Sequence, residues 1–113
     1  MHVVVHGGGA IGLSVAWHLL PHARVTVVDA PRPGAASPAA AGMIAPLVDA
    51  WCCFRPGSKD GLPVIGRIDD RTYIATGHYR NGILLAPITG KLLAEMIVGG
   101  NTPELLKPCD PLR

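Results

Sequence analysis

The sequence predicts an α/β fold of the Rossmann-like, dinucleotide-binding class, and two observations lead to this class. First, a short Val-rich run at residues 2–6 passes directly into the glycine turn Gly-Gly-Gly-Ala-Ile-Gly at residues 7–12. Second, helical apolar spacing over residues 13–20 is followed by another Val-rich run at residues 24–28, which ends at Asp29. A strand, a glycine turn, a helix and a second strand closed by an acidic residue is the order of a dinucleotide-binding unit.

The residues of this unit have separate predicted tasks. Gly7 would make the tight turn out of the strand, Gly9 would let the backbone approach a pyrophosphate, and Gly12 would let the helix lie close to the sheet. The pyrophosphate would bind at the positive end of the helix dipole. Asp29 would accept hydrogen bonds from the ribose hydroxyls and repel a 2′-phosphate, which leaves NAD or FAD open. The alternative is a Gly-rich turn of another α/β protein, with Asp29 as a helix cap.

The composition indicates one small globular domain. The chain has 113 residues, of which 49% are hydrophobic, and a formal net charge of +2. The basic residues are scattered without a stripe, which argues against a nucleic-acid partner. We find no apolar run of membrane-spanning length and no secretory signal, and we therefore expect a cytoplasmic protein without a membrane partner.

The cysteines and histidines predict no metal site. The three cysteines have neither metal-binding spacing nor an even number for disulfides. We interpret Cys52 and Cys53 as small strand residues, with a reactive vicinal thiol pair as the alternative. Two histidine pairs, at positions 2 and 6 and positions 18 and 22, lack a third ligand.

The elements after Asp29 follow in order. A stiff turn is predicted at residues 30–34, and Ser37 followed by Pro38 is typical of a helix start. The small residues that follow would allow close packing. A third strand is predicted at residues 51–55.

The second half of the chain predicts a hairpin and a long helix. Strands are expected at residues 62–68 and 72–76, and a polar, glycine-bounded loop at residues 77–82. The pattern from about residue 84 to residue 98 is helical and stops at two glycines. The last thirteen residues contain three prolines and predict a loosely held tail.

Three blocks of the sequence resemble the FAD-dependent D-amino-acid oxidase superfamily, and within it the glycine oxidases of the thiamine-biosynthesis type. The blocks are residues 3–29, the run Ser-Pro-Ala-Ala-Ala-Gly-Met at residues 37–43, and residues 51–100. The longest specific runs lie at residues 55–63 and 77–85. The resemblance implies a Rossmann-like FAD-binding domain, reduced in size, with an added β-hairpin and a C-terminal helix. It also implies FAD rather than NAD.

The chain departs from this family in length. Family members carry the rest of their dinucleotide fold and a substrate-domain sheet at the place that corresponds to residues 47–51. We therefore interpret the chain as two joined halves, residues 1–47 and 51–100, that form a single compact domain, with residues 101–113 as the tail. The sequence leaves open whether the join arose by deletion or by design.

The resemblance also implies which residues contact FAD. Residues 10 and 11 would contact the pyrophosphate, residues 29 and 30 the adenosine ribose, and residues 36 and 37 the phosphate and ribityl region. Residues 41–43 would reach the flavin near N5 and O4, and residues 78–84 would form the loop over its other edge. The full predicted set is Gly7, Gly9, Ala10, Ile11, Gly12, Asp29, Ala30, Ala36, Ser37, Ala41, Gly42, Met43, His78, Tyr79, Arg80, Asn81, Gly82, Ile83 and Leu84.

Arg55 and Arg80 match the two arginines that face the substrate in glycine oxidases. A planar guanidinium can hold a carboxylate through two parallel hydrogen bonds. The alternative is a pair of surface arginines. For His78, loop packing is favoured over a role as a proton carrier. The helix that begins near Leu84 would direct its positive end at the flavin N1/O2 region and stabilise reduced flavin.

The resemblance implies oxidative deamination of a small, glycine-like amino acid, with oxygen as the acceptor and no catalytic side chain. An alternative is a minimal stand-alone FAD-binding module with little or no turnover, because the family's remaining pocket wall lies in the absent segment. An NAD-dependent domain would fit the glycine turn but not the other two blocks. A homo-oligomer is also expected, because a shortened sheet leaves apolar edges to be covered.

Overall fold

A computed structural model gives the structure of residues 1–30, 33 and 54–113. The predicted helix start at Ser37 and Pro38 lies outside these residues, as do the adjacent cysteines at positions 52 and 53 and most of the strand predicted at residues 51–55. The two residues of that strand within the described part, Phe54 and Arg55, have no regular secondary structure.

The first half of the described chain is a strand–helix–strand unit. It consists of β1 (His2–His6), α1 (Ala10–Leu19) and β2 (Arg24–Val28). The two strands pair in parallel, with His2 beside Arg24 and His6 beside Val28. Helix α1 begins three residues earlier than expected, because the glycine turn itself supplies its first turn: the Leu13 N–H donates to the Gly9 carbonyl at 2.9 Å.

The second half begins with a two-stranded hairpin. Strands β3 (Val64–Arg67) and β4 (Tyr73–Thr76) pair antiparallel. Both strands were predicted, and β3 is shorter than expected at both ends. At its start this is explained by Pro63, which has no N–H to donate to a neighbouring strand.

A long helix follows the hairpin. A 3₁₀ helix at Tyr79–Asn81 leads directly into α2 (Gly82–Gly99). The helix stops where the two glycines predict, because Gly100 has a φ of +74° and donates its N–H to the Met96 carbonyl at 2.8 Å. The predicted loop over residues 78–84 is therefore wrong in part, since residues 79–84 are helical.

The expectation that no apolar run reaches membrane-spanning length is also wrong. The helical stretch Tyr79–Gly99 has 21 residues with a mean hydropathy of 1.5, which suffices for a membrane span by length and composition alone. The core helix of a globular protein can have the same length and composition, and α2 packs against α1. A Cβ atom added at Gly90 would collide with the backbone and side chain of Ser14, so the two helices meet closely at these residues.

The buried core draws on both halves and on the tail. Its members come from α1, β3, α2 and the segment after α2, and each is less than a tenth exposed: Val15, Leu19, Ile65, Leu93, Ala94, Met96 and Leu106. Side chains on the inner face of β1 and β2, together with Tyr73 and Ala75 of β4, pack against this cluster. The division of the chain into one domain and a tail stays a prediction.

The last thirteen residues are not loosely held. They include a 3₁₀ helix at Glu104–Cys109, and Leu106 is only 3% exposed. A Cβ atom at Gly66 of β3 would lie 2.7 Å from Cδ of Pro111, so the tail packs directly on the hairpin. The three prolines exclude a long helix in the tail, but a proline ring is also an apolar surface that can pack. The number of prolines therefore did not predict whether the tail is held.

Candidate functional site

The glycine turn after β1 is held by backbone contacts. Gly7 has a φ of +112°, in the region that favours glycine, and its N–H donates to the Val28 carbonyl at 2.8 Å. This bond joins the ends of the two parallel strands. The turn therefore lies at the carboxyl edge of the sheet, where α/β proteins bind their ligands.

Gly12 lies where α1 crosses this turn. A Cβ atom added at Gly12 would collide with the Gly7 carbonyl oxygen and would lie 3.5 Å from Cγ1 of Val5. No side chain fits at this position without movement of the backbone. The helix and the turn are therefore in close contact at Gly12, and the task of Gly12 in a dinucleotide site stays a prediction.

Asp29 lies against the same turn. A Cβ atom at Gly8 would be 2.8 Å from Oδ2 of Asp29 and 3.0 Å from its Cγ, so the carboxylate lies directly over the Gly8 backbone. Asp29 is exposed and can accept hydrogen bonds from a ligand. Gly8 was not among the predicted site residues. The available signal was the run of three consecutive glycines, because the fingerprint needs only two of them.

A second group of predicted residues meets at the start of α2. The Tyr79 N–H donates to the Pro56 carbonyl at 2.9 Å. Arg55 precedes this proline and Arg80 follows this tyrosine, so the bond brings both predicted substrate arginines into one neighbourhood. We call residues 54–57 together with residues 79 and 80 the arginine corner.

The arginine corner is exposed and includes one unusual backbone conformation. Both arginines are exposed, and the Arg80 guanidinium carbon lies 5.5 Å from the centre of the Tyr79 ring, as in a cation–π contact. Tyr79 has a φ of +49°, which is uncommon for any residue but glycine. Such conformations persist only where the surroundings hold them and are concentrated at functional sites.

His78 precedes Tyr79 of the corner and is buried. It is 6% exposed, and its Nε2 is hydrogen-bonded to Oγ1 of Thr89, which is 2% exposed, at 3.0 Å. Burial lowers the pKa of His78 below its ordinary value, because it disfavours the charged imidazolium. The geometry favours the packing role over that of an exposed proton carrier. Thr89 could not be identified as the partner from the sequence, because it lies eleven residues away within the pattern of a helix.

The remaining predicted residues divide into two groups. Asn81 occupies the N-cap position of α2 without a side-chain capping bond, and Gly82 begins the helix, while Ile83 and Leu84 are 51% and 78% exposed in its first turn. The other group, the segment predicted to contact the phosphate, ribityl chain and flavin, lies outside the described residues: Ala36, Ser37, Ala41, Gly42 and Met43.

The described residues fit a dinucleotide. The turn presents backbone without bulky side chains, α1 directs its positive end towards it, and the Asp29 carboxylate lies beside it to accept hydroxyl hydrogen bonds. Gly9, the N-cap of α1, has an extended backbone and no side chain that could block the approach of a phosphate.

Comparison with known families identifies the class of protein. Residues 2–50 and 45–96 match the family described as FAD dependent oxidoreductase, also named DAO. The chain therefore belongs to this family. The choice of FAD over NAD as the family's cofactor is confirmed.

The particular relatives are glycine oxidases and related bifunctional proteins. The chain is 56% identical over 50 residues to glycine oxidase of Bacillus subtilis (strain 168), which covers 42% of this chain and 14% of that protein. It is 48% identical over 62 residues to the bifunctional protein ThiO/ThiG of Nostoc sp. (strain PCC 7120), and this match covers 54% of this chain and 10% of that protein. It is 44% identical over 63 residues to glycine oxidase of Geobacillus kaustophilus (strain HTA426), and this match covers 54% of this chain and 17% of that protein. The match thus spans less than a fifth of each of these relatives.

Proposed function

We propose that this chain binds FAD at the glycine turn and holds the carboxylate of a small amino acid at the arginine corner, as part of an oxidoreductase that deaminates a glycine-like substrate with oxygen as acceptor. The observation that carries the proposal is the Asp29 carboxylate over the Gly8 backbone, at the end of a parallel strand pair, in a member of an FAD-dependent family. Bound FAD would supply the redox chemistry by accepting a hydride.

The protein's own part at the nucleotide end is binding. The first turn of α1 would face the pyrophosphate with the positive end of its dipole. The Asp29 carboxylate would accept hydrogen bonds from the adenosine ribose hydroxyls. No side chain here has to transfer a proton, so the substitutions that matter are those that fill the turn or remove this carboxylate.

The protein's part at the substrate end is orientation. Arg55 and Arg80 each offer a planar set of donors that matches a carboxylate, which a lysine could not present in the same way. Helix α2 begins two residues after Arg80, so its positive end adds to the same positive field. Holding the carboxylate at two donor sets would fix the direction of the substrate's α-carbon.

A second candidate function is a stand-alone FAD-binding module with little or no turnover. Two observations favour it. The matched part of the chain spans only 10–17% of the three relatives described above. The arginine corner is also exposed to water, whereas closure of an active site strengthens the interactions within it.

Cofactor binding is tested first. The purified chain is titrated with FAD, and binding is followed by flavin absorbance and by the rise in unfolding temperature. We expect Asp29→Ala to weaken FAD binding by about tenfold or more, the loss expected for hydrogen bonds to a charged acceptor. Asp70→Ala, in the exposed turn between β3 and β4, is the matched control and should leave the affinity unchanged. Stabilisation by NAD with none by FAD would overturn the proposal.

Substrate chemistry is tested on the FAD-loaded chain. Glycine is added without oxygen and the flavin absorbance is followed; peroxide is measured after air is admitted. Oxidase function predicts bleaching and peroxide that both disappear in Arg55→Ala and in Arg80→Ala, with Arg71→Ala as the matched control. Bound flavin that does not bleach would leave the binding module as the function.

The predicted homo-oligomer has one structural observation in its favour. Leu13 and Trp17 of α1 and Leu20, the residue that follows the helix, are spaced as one apolar stripe and are 53%, 71% and 59% exposed. An apolar stripe of this kind is typical of an association surface. Sedimentation should give a mass above that of one chain, and a monomeric mass that persists at high concentration would contradict it. The cytoplasmic location stays a prediction.

A further inference from the structure

The last residue of the tail, Arg113, binds a residue that lies 53 positions earlier in the sequence, Asp60. The Arg113 guanidinium binds the Asp60 carboxylate through two bonds, from Nε to Oδ2 at 2.7 Å and from Nη2 to Oδ1 at 2.9 Å. Two more of its N–H groups donate to carbonyls, Nη1 to Asp110 at 2.9 Å and Nη2 to Leu62 at 3.3 Å. The guanidinium also holds the pKa of Asp60 far below its usual range. We call this contact the Asp60–Arg113 clasp.

Asp60 closes a turn as well as binding the tail. Its Oδ1 accepts the Leu62 N–H at 3.1 Å, and the Ser58 hydroxyl donates to the Leu62 carbonyl. Residues 58–62 therefore form one tightly bonded turn. The clasp attaches the tail to this turn as a unit, since it binds both the Asp60 carboxylate and the Leu62 carbonyl.

The same turn lies against the loop that leads to the arginine corner. A Cβ atom at Gly77, which has a φ of +76°, would lie 3.5 Å from the Val64 nitrogen and 3.8 Å from Cβ of Ser58. The turn that binds the tail thus also lies near Gly77, the residue before His78.

The turn also begins two residues after Pro56, the acceptor of the Tyr79 N–H. A Cβ atom at Gly57, between them, would lie 3.7 Å from Cδ2 of Tyr79. The tail therefore binds a turn that starts two residues after Pro56, and Pro56 in turn accepts the hydrogen bond from Tyr79 of the arginine corner.

We propose that Asp60 and Arg113 are positioning residues, whose clasp fixes the turn at residues 58–62 and so holds Arg55 beside Arg80. The consequence for carboxylate binding rests on the proposed function. Arg113 lies beyond the residues that match the family, 2–50 and 45–96, whereas Asp60 lies within them, so the clasp joins a residue outside the match to one inside it.

An exposed ion pair alone would be a weak basis for this proposal, because such pairs add little to stability. The clasp differs in geometry: it is bidentate, and two further carbonyls share the guanidinium, although the Arg113 and Asp60 side chains are 26% and 45% exposed. The tail offers a contrasting pair. Lys107 and Glu104 lie 2.6 Å apart but are 60% and 84% exposed and only three residues apart, so their bond fixes no other segment.

The first test uses amide hydrogen exchange on the chain without FAD. In Arg113→Gln we expect faster exchange at Leu62 and at Tyr79, whose N–H groups are bonded to Asp60 and to Pro56. The Gly7 amide, bonded within the glycine turn, should be unchanged. Lys107→Gln removes the other ion pair of the tail and should leave Tyr79 unchanged. Faster exchange at Leu62 with no change at Tyr79 would overturn the proposal, because the clasp would then act on its own turn alone.

The second test measures a carboxylate ligand rather than turnover. Glycolate, a glycine-sized carboxylate without the amine, is titrated into the FAD-loaded chain and followed by flavin absorbance. We expect Arg113→Gln and Asp60→Asn each to weaken glycolate binding by about fivefold, with FAD affinity unchanged. Asp60→Asn keeps an oxygen that can accept the Leu62 N–H, so the turn stays closed. The double variant should show no further loss, since both changes break one contact.

These outcomes distinguish failure of the positioning role of the clasp from failure of the proposed function. If the wild-type chain binds FAD but not glycolate, the substrate site fails, and the Tyr79 exchange rate still decides whether the clasp positions the corner. If glycolate binds equally well to all variants, the positioning of Arg55 by the clasp is overturned while the FAD site stands.

Discussion

The glycine turn and the arginine corner are built in opposite ways. In the turn, Gly7 and Gly12 touch each other within six residues of chain, and the contact is backbone against backbone. In the corner, one hydrogen bond joins the two distant segments that carry Arg55 and Arg80, and a buried side-chain pair, His78 with Thr89, lies next to it. The glycine turn is therefore fixed by sterics, which leave no room for a side chain at Gly12, whereas the arginine corner depends on a few polar contacts that can be weakened one at a time.

The largest effect is expected in the turn. Gly12→Ala places a Cβ atom onto the Gly7 carbonyl oxygen, and relief requires movement of the backbone. We expect the free energy of unfolding to fall by about 3 kcal/mol, at the upper end for overpacking. Urea denaturation measures it.

Gly99→Ala is the matched control for this substitution. Gly99 is the last residue of α2, and a Cβ atom there would have nothing within 4 Å. Alanine should be neutral or stabilise the chain by up to about 1 kcal/mol, because it is the better helix former. Equal losses for the two variants would contradict the steric account of the turn.

The same difference explains what the sequence could and could not predict. The strand–turn–helix–strand unit was predictable because its constraint is local: a glycine pattern of fixed spacing and an acid at the end of the next strand. The hairpin and α2 followed from periodicity and glycine stops in the same way. The partners that hold the corner were not predictable, since the pairing of His78 with Thr89, or of Asp60 with Arg113, exists only once the fold brings distant segments together.

A smaller effect is expected at the buried support of the corner, and the chain offers its own control. His78 and Thr89 are hydrogen-bonded at 3.0 Å in the interior, and His2 and Thr26 form the same kind of bond at 3.0 Å on the exposed surface. We expect Thr89→Val to lower the free energy of unfolding by about 1–3 kcal/mol, because the buried imidazole loses its partner. Thr26→Val should change it by less than about 0.5 kcal/mol, since water replaces the lost bond. Similar values for both would mean that burial does not set the strength of this contact.

The smallest effects are expected from pH, and they separate the buried support from the exposed clasp. The pKa of His78 is lowered in the folded chain by burial, so the unfolded chain binds more protons once the pH falls below about 6.5. Stability should therefore decline as the pH falls through that range, and the decline should be smaller in His78→Gln.

The pKa of Asp60 is also lowered, chiefly by its hydrogen bonds with Arg113, but its ordinary value lies lower than that of a histidine. The contribution of the clasp is therefore complete above about pH 5 and is lost only as the pH falls through the acidic range below about 4. Urea denaturation of the wild type, His78→Gln and Asp60→Asn at a series of pH values tests both windows. If Asp60→Asn altered the slope between pH 7 and pH 5 and His78→Gln did not, the buried histidine would not be the group that titrates, and the assignment of the two windows would be reversed.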